Sequence, residues 1–191
     1  MIAAVVLAAG LSRRMGRDKL LLPLDGAPLF QKTVDLAVRL PFAARLVVTN
    51  TPQIAAYAAV HGCQVVPSPR AEAGMGCSVA AGAASLPEPC TGVIFFNADQ
   101  PFLTAEAVTR LCRRFWETDQ IAVPVTAGAP TAPCVFPRRF WPELAALNGT
   151  QGGRAVYRRH PDETVFVPMD DPALFRDVDV PADCGWLHEM E

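Results

Sequence analysis

Short apolar runs rich in branched residues alternate with stretches of helical periodicity along this chain, and that alternation constrains its fold more than any other feature. Ile2–Leu7 has the composition of a buried parallel strand, and Arg45–Asn50, Cys63–Pro67, Gly92–Phe96, Ile121–Val125 and Thr164–Val167 read as further strands. Between them, Leu29–Leu40 repeats apolar residues at helical spacing amid Gln31, Lys32, Asp35 and Arg39. Pro52–Val60 and Ser78–Leu86 predict short helices, and Thr104 is placed to cap a helix running to Phe115. Two more helices are expected near Phe140–Leu147 and Gly153–His160, after a Pro-rich loop ending at Pro133. With no internal repeat or long linker, this order predicts an α/β fold, a three-layer α/β/α sandwich on a mainly parallel sheet. A chain of 191 residues suits one domain spanning 1–191, large enough to bury its own core. Ligands of such sheets sit at the carboxyl ends of strands, near a topological switch point. The loops after Leu7, after Phe96 and around Ala73–Cys77 therefore carry the functional expectation.

Composition removes several classes of function. A net charge of −2 and an isoelectric point near 5.9 argue against a nucleic-acid binder, which usually carries a basic excess. No apolar run approaches the ~20 residues of a membrane span. Met1–Gly10 has no basic leader and runs into Arg13, Arg14 and Arg17, which fits a first strand better than a signal peptide. The six cysteines form neither a Cys-x-x-Cys pair nor a zinc-type cluster, so they read as buried thiols of a cytoplasmic protein. His61, His160 and His188 are isolated and read as structural or surface residues. Lysine occurs only at positions 19 and 32, against fifteen arginines, which directs attention to where each lysine falls.

Lys19 closes the segment Leu7-Ala8-Ala9-Gly10-Leu11-Ser12-Arg13-Arg14-Met15-Gly16-Arg17-Asp18-Lys19, between the first strand and the first strong helix. Small residues there let backbone amides approach a ligand, and three arginines with Lys19 could neutralise a triphosphate; a solvated basic turn is the alternative. The segment lacks the spacing of a Walker loop, because five residues separate Gly10 from Gly16 and Lys19 comes later. It lacks the Rossmann fingerprint as well, and the Gly-x-Gly at Gly74 and Gly76 has Val79 where the third glycine should be. A dinucleotide oxidoreductase is disfavoured.

Residues 7–19 resemble the Leu-Ala-Ala-Gly-x-Ser-x-Arg-Met-Gly-x-x-Lys signature of small nucleotidyltransferases, in particular the molybdenum cofactor cytidylyltransferases and their guanylyltransferase cousins. The likeness continues through Pro23–Leu29, Gly74–Ser78, Asp99-Gln100-Pro101 and Asp177–Asp183, in family order over nearly the whole chain. It implies a Rossmann-like sheet of the nucleotide-diphospho-sugar transferase type. It also implies transfer of CMP from CTP to the terminal phosphate of molybdopterin, with release of pyrophosphate. By resemblance Leu7, Ala8, Ala9, Gly10 and Ser12 line the nucleotide site, Arg14 and Lys19 hold its phosphates, and Gly74 and Ser78 meet the base. Lys19, Arg14 and Asp99 would be the catalytic groups. Asp99 and Asp177 would bind Mg2+, a hard ion suited to carboxylate and phosphate oxygens, with Asp177 preferred over Asp179. Ala9 favours CTP, since the guanylyl branch resembles Leu-Ala-Gly-Gly at that point. Guanylyl transfer, cytidylyl transfer to a polyol phosphate such as 2-C-methyl-D-erythritol 4-phosphate, and a non-catalytic cofactor carrier are the alternatives. A molybdoenzyme or its maturation chaperone is an implied partner; nucleic acid and membrane are not.

Two departures from the family pattern bear on the acceptor. Gly149-Thr150-Gln151-Gly152-Gly153-Arg154 has Thr where Gly-Asp-x-Gly-x-Arg is common, and Ala80 replaces an arginine. Both positions are expected to face the acceptor, with Thr126–Pro133 covering it.

Overall fold

The computed structural model describes residues 1–10 and 18–178. Its strands are β1 (Ile2–Leu7), β2 (Pro23–Leu24), β3 (Ala27–Pro28), β4 (Ala44–Val48), β5 (Gln64–Val66), β6 (Gly92–Asn97), β7 (Ile121–Thr126), β8 (Ala129–Pro130), β9 (Cys134–Pro137) and β10 (Thr164–Pro168). Its helices are α1 (Leu29–Arg39), α2 (Pro52–Val60), α3 (Met75–Ala84), α4 (Ala105–Thr118), α5 (Trp141–Ala145) and α6 (Arg154–Arg159). The main sheet runs β10-β7-β9-β6-β1-β4-β5, with β8 hydrogen-bonded to β7. Pairings within β6-β1-β4-β5 and between β10 and β7 are parallel, while β9 lies antiparallel to both β6 and β7.

Strand alternation divides the core into two apolar layers. Ile2, Ala4, Val6, Ile94 and Phe96 face the side covered by α1, α2 and α4, where Phe30, Val34, Ile54 and Leu111 pack. Ala3, Val5, Val93 and Phe95 face α3, α5 and α6, with Val79, Leu144, Val156 and Tyr157. The molecule is thus the expected three-layer sandwich. From β1 the chain moves to β4 and β5 on one side, then returns to β6 on the other, so the switch point opens beside β1.

Most boundaries fall close to the sequence expectation, and the departures have local causes. Helix α4 begins on Thr104, whose hydroxyl accepts from Ala107 N at 3.3 Å. It continues past Phe115 to Thr118, where Asp119 ends it in the left-handed region at φ 52°. Helix α3 starts at Met75, three residues before Ser78. The Pro-rich segment is a hairpin rather than an open loop. Ala127 and Gly128 turn at positive φ, so that Ala129–Pro130 pairs back on Val125–Thr126. Strand β9 has no clear sequence signal because Pro133 precedes it and Pro137 is its last residue. On the helices, Trp116 is exposed, whereas Trp141 is buried. The five described cysteines are buried and unpaired, and among the described residues no helix is long and apolar enough to cross a membrane.

Candidate active site

Two cavities open at the carboxyl end of the sheet. The smaller, about 430 Å³, lies between the end of β1, the start of α3 and the loop after β6. Leu7, Ala9 and Gly10 form one wall, Gly74 and Ser78 another, and Lys19 and Asp99 supply its charge. Ala8 is not among its lining residues; its side chain belongs to the core on the α1 face. Ser12 and Arg14 lie outside the described residues.

Lys19 Nζ meets Asp99 Oδ2 at 2.8 Å, and both side chains are largely shielded, with exposures of 16% and 22%. Each is delivered by local structure. Asp18 caps a turn of 3-10 helix at Lys19–Leu21: one carboxylate oxygen accepts from Leu20 N at 3.1 Å, the other from the Thr51 hydroxyl at 2.8 Å. The end of the 7–19 loop is thereby tied to the start of α2. Sequence reasoning missed Asp18, although an Asp just before a Lys-Leu-Leu turn is a capping signal. Asp99 follows the buried strand β6, whose end is stitched to β1 by Ala98 N donating to Leu7 O at 3.1 Å.

The small residues at the start of α3 line this cavity and also admit another part of the chain. Gly74 sits at φ +128°, and a Cβ there would lie 2.5 Å from Gly149 O. A Cβ on Gly76 would lie 2.5 Å from Gln151 O, and Gly76 N donates to Gly149 O at 2.9 Å. What approaches these glycines is the chain's own 148–151 loop. Ser78 is buried, its hydroxyl 3.1 Å from the Ser68 hydroxyl, so it fixes α3 to the segment after β5 as well as lining the cavity.

The larger cavity, about 700 Å³, shares Leu7, Met75, Asn97 and Thr150 with the first and extends over β9 and α6. Phe95, Phe136 and Val79 give it an apolar floor, while Thr131, Arg154, Arg158 and Asp177 bring polar groups. Pro130, Thr131 and Ala132 of the hairpin form one side, where the Thr126–Pro133 segment was expected to cover the acceptor. Thr150 lines both cavities; Ala80 is buried and lines neither. Arg154 Nε donates to the Tyr157 hydroxyl at 3.1 Å. Cys134, also on this wall, is buried deeply enough that its thiol is pushed up to about 12, so it stays protonated near neutrality.

Asp99 and Asp177 belong to different cavities but are neighbours along one seam. Val178 N donates to Asp99 O at 2.9 Å, which lays residues 176–178 against the loop after β6. Among the described residues no group of three or more His, Cys, Asp or Glu could hold a metal. Two carboxylates nevertheless suit magnesium, which takes one or two protein oxygens and completes its shell with phosphate oxygens and water.

The sequence and fold that build this crevice have counterparts among known proteins. Residues 4–165 match the model of the MobA-like NTP transferase domain. The chain belongs to that family. It is a nucleotidyltransferase. A molybdenum cofactor guanylyltransferase of Cupriavidus metallidurans is 34% identical over 203 residues, covering 100% of this chain and 95% of the relative. The purine catabolism protein PucB of Bacillus subtilis is 30% identical over 172 residues, 82% of this chain and 80% of its own. The crystal structure of Rv0371C from Mycobacterium tuberculosis in complex with manganese superposes with a TM-score of 0.76 at 26% identity, covering 100% of this chain and 99% of that one.

Proposed function

We propose that the chain acts as one domain that transfers CMP from CTP to the terminal phosphate of a molybdopterin-type cofactor. The observation that carries this reading is the pair of cavities meeting at Leu7, Met75, Asn97 and Thr150, with the Lys19–Asp99 pair on one side and Asp177 on the other. The smaller cavity takes the nucleotide and the larger one the acceptor. An oxygen of the acceptor phosphate attacks the α-phosphorus, the bond to the bridging oxygen breaks, and pyrophosphate leaves with the electron pair. A phosphate monoester is already largely dianionic at neutral pH, its second pKa being about 6, so the attack needs no strong base. That fits a site whose charged members are cations and carboxylates.

Lys19 places its ammonium against the phosphates, where charge grows in the transition state. Arg14 is proposed to share that task. Leu7, Ala9 and Gly10 bring the end of β1 against the nucleotide; Ala8 contributes by packing behind them. Gly74 and Ser78 border the base. Asp99 and Asp177 are the residues that would hold Mg2+, which supplies charge neutralisation and alignment of the phosphate oxygens when bound. That the mycobacterial neighbour forms a complex with manganese supports use of a divalent ion. Ala9 lines the nucleotide side, and CTP is favoured there by the likeness of Leu7–Gly10 to the cytidylyl branch. GTP is the second reading, favoured by the guanylyltransferase relative that matches across the whole chain.

Calorimetric titration of CTP and GTP with Mg2+, followed by pyrophosphate release on adding molybdopterin, tests both. CTP selectivity with acceptor-dependent release is expected, and Lys19→Ala should lower turnover by about 10²–10³-fold, as loss of one group directed at developing charge does. GTP selectivity moves the assignment to the guanylyl reading. Binding of neither nucleotide overturns both.

A further inference from the structure

Gln100 is a buried polar side chain lining the larger cavity, with 2% exposure, yet it is only half satisfied. Its Nε2 donates to Phe175 O at 3.1 Å, while Oε1 is enclosed without a partner. The assignment of the two amide atoms is fixed by that bond, since a backbone carbonyl can only accept. A buried amide with one orphaned atom is less favourable than an apolar side chain of the same shape. Gln100 also lines the larger cavity, and the bond it does make ties it to the segment that carries Asp177.

That bond closes a staple. Asp99 and Gln100 are consecutive, and they grip the C-terminal segment at two points: Gln100 Nε2 on Phe175 O, and Asp99 O on Val178 N at 2.9 Å. Only Arg176 and Asp177 lie between the two anchors. The Phe175 and Val178 side chains enter the core, and the two hydrogen bonds hold the segment's backbone at either end of Arg176 and Asp177. Gln100 is itself braced: its carbonyl accepts from the buried Thr33 hydroxyl of α1 at 3.3 Å, and its amide N donates to Asn97 O at 3.2 Å.

We propose that Gln100 is a positioning residue that holds Asp177 in register with Asp99, so that two carboxylates from distant parts of the chain act as one cation site. The inference rests on the reading above in which those two residues bind the metal. Gln100 touches neither metal nor nucleotide in this scheme. Its effect runs through the backbone of residues 175–178.

The test is Mn2+ binding, followed by electron paramagnetic resonance in the presence of CTP, to wild type, Gln100→Met, Asp99→Asn and Asp177→Asn, with CTP binding in EDTA measured alongside. Gln100→Met keeps the side-chain length and apolar stem but removes the donor. It should weaken Mn2+ by about 10–100-fold, as loss of a group that orients a ligand does, and leave metal-free CTP binding unchanged. Unchanged Mn2+ affinity in Gln100→Met, with weakened binding in Asp177→Asn, overturns the staple. Parallel loss of Mn2+ and metal-free CTP binding also overturns it, because the residue would then support the whole crevice. If neither Asp99→Asn nor Asp177→Asn alters Mn2+ binding, the metal assignment itself fails. Hydrogen exchange of the wild-type Val178 amide gives a readout that needs no variant: exchange at the rate of an unstructured peptide would refute the staple directly.

Discussion

Gly76→Ala separates two uses for the glycines at the start of α3: admitting a base, or admitting the chain's own 148–151 loop. Gly76 is helical and not at positive φ, so alanine meets no backbone strain and gains about 1 kcal/mol of helix propensity. The cost is steric. The new Cβ would stand 2.5 Å from Gln151 O and 2.6 Å from Asn148 O, while comfortable separation begins near 3.4 Å, so the loop must retreat by about 0.9 Å. Overpacking of that order costs about 1–3 kcal/mol, and the propensity gain offsets part of it. For a chain of this size the net change should lower Tm by no more than about 4–8 °C. The kinetic effect should be larger and one-sided. Thr150 and Gln151 line the acceptor cavity, and a shift near 1 Å in groups that place a reactant can cost about 10²-fold in rate. Steady-state kinetics with each substrate varied should therefore show acceptor kcat/KM falling by up to about 10²-fold, equivalent to ~2.7 kcal/mol, with nucleotide Kd nearly unchanged. If Gly76→Ala instead weakens the nucleotide and spares acceptor kcat/KM, the glycine faces the base and the packing argument is wrong.

Two further predictions address charge and pH. Arg159 is tied to Glu143 and Arg154 to the Tyr157 hydroxyl, whereas Arg158 lines the acceptor cavity without such a partner among the described residues. Arg158→Ala should raise acceptor KM by about tenfold, the worth of one charge-assisted hydrogen bond, and leave nucleotide Kd unchanged; the opposite pattern in steady-state kinetics would place it on the nucleotide side. At alkaline pH the fold should weaken. Burial pushes the Cys112 and Cys134 thiols up to about 12, and burial followed by the hydrogen bond to Asp35 and its charge pushes Tyr57 to about 12. Above the ordinary values of these groups the unfolded chain releases protons that the folded chain keeps. Stability therefore falls as pH rises from about 9 towards 12, by about 1.4 kcal/mol per pH unit for each group within its window. Urea unfolding at pH 8 and pH 10.5 measures the slope, and an equal slope in a Cys112→Ala, Cys134→Ala variant would refute its origin in the thiols.

The legible parts of this protein are those where neighbours in sequence carry the signal. Ile2–Leu7 and Gly92–Asn97 are apolar runs whose burial on both faces follows from composition, and Leu29–Arg39 announces its buried face by spacing. Strand β9 was illegible because the three residues between Pro133 and Pro137 satisfy no periodicity; its identity comes from the gap between β6 and β7 that it fills. The β2–β3 hairpin had a local signal that was not used, since Asp25 and Gly26 both turn at positive φ as an Asp-Gly hairpin requires. At the crevice, the charged pair Lys19 and Asp99 could be anticipated from strand ends. The role of Gly74 and Gly76 could not, because it depends on a loop more than seventy residues away.

That loop explains why the two cavities cannot be treated as independent. Residues 148–151 rest on the α3 N-terminus, Thr150 faces both cavities, and Met75, half-exposed at the helix start, lies beneath Gly152 and borders both as well. On the proposed reading, a nucleotide that presses on α3 alters the wall of the acceptor side, and an acceptor that presses on that wall acts back on the nucleotide. The coupling free energy between the two ligands is reciprocal by thermodynamic necessity. The routes to it differ: changes at Gly76 or Met75 should alter how strongly one substrate senses the other, and changes at Arg158 should alter only acceptor affinity. The crevice is consequently better described by its shared wall than by either cavity alone.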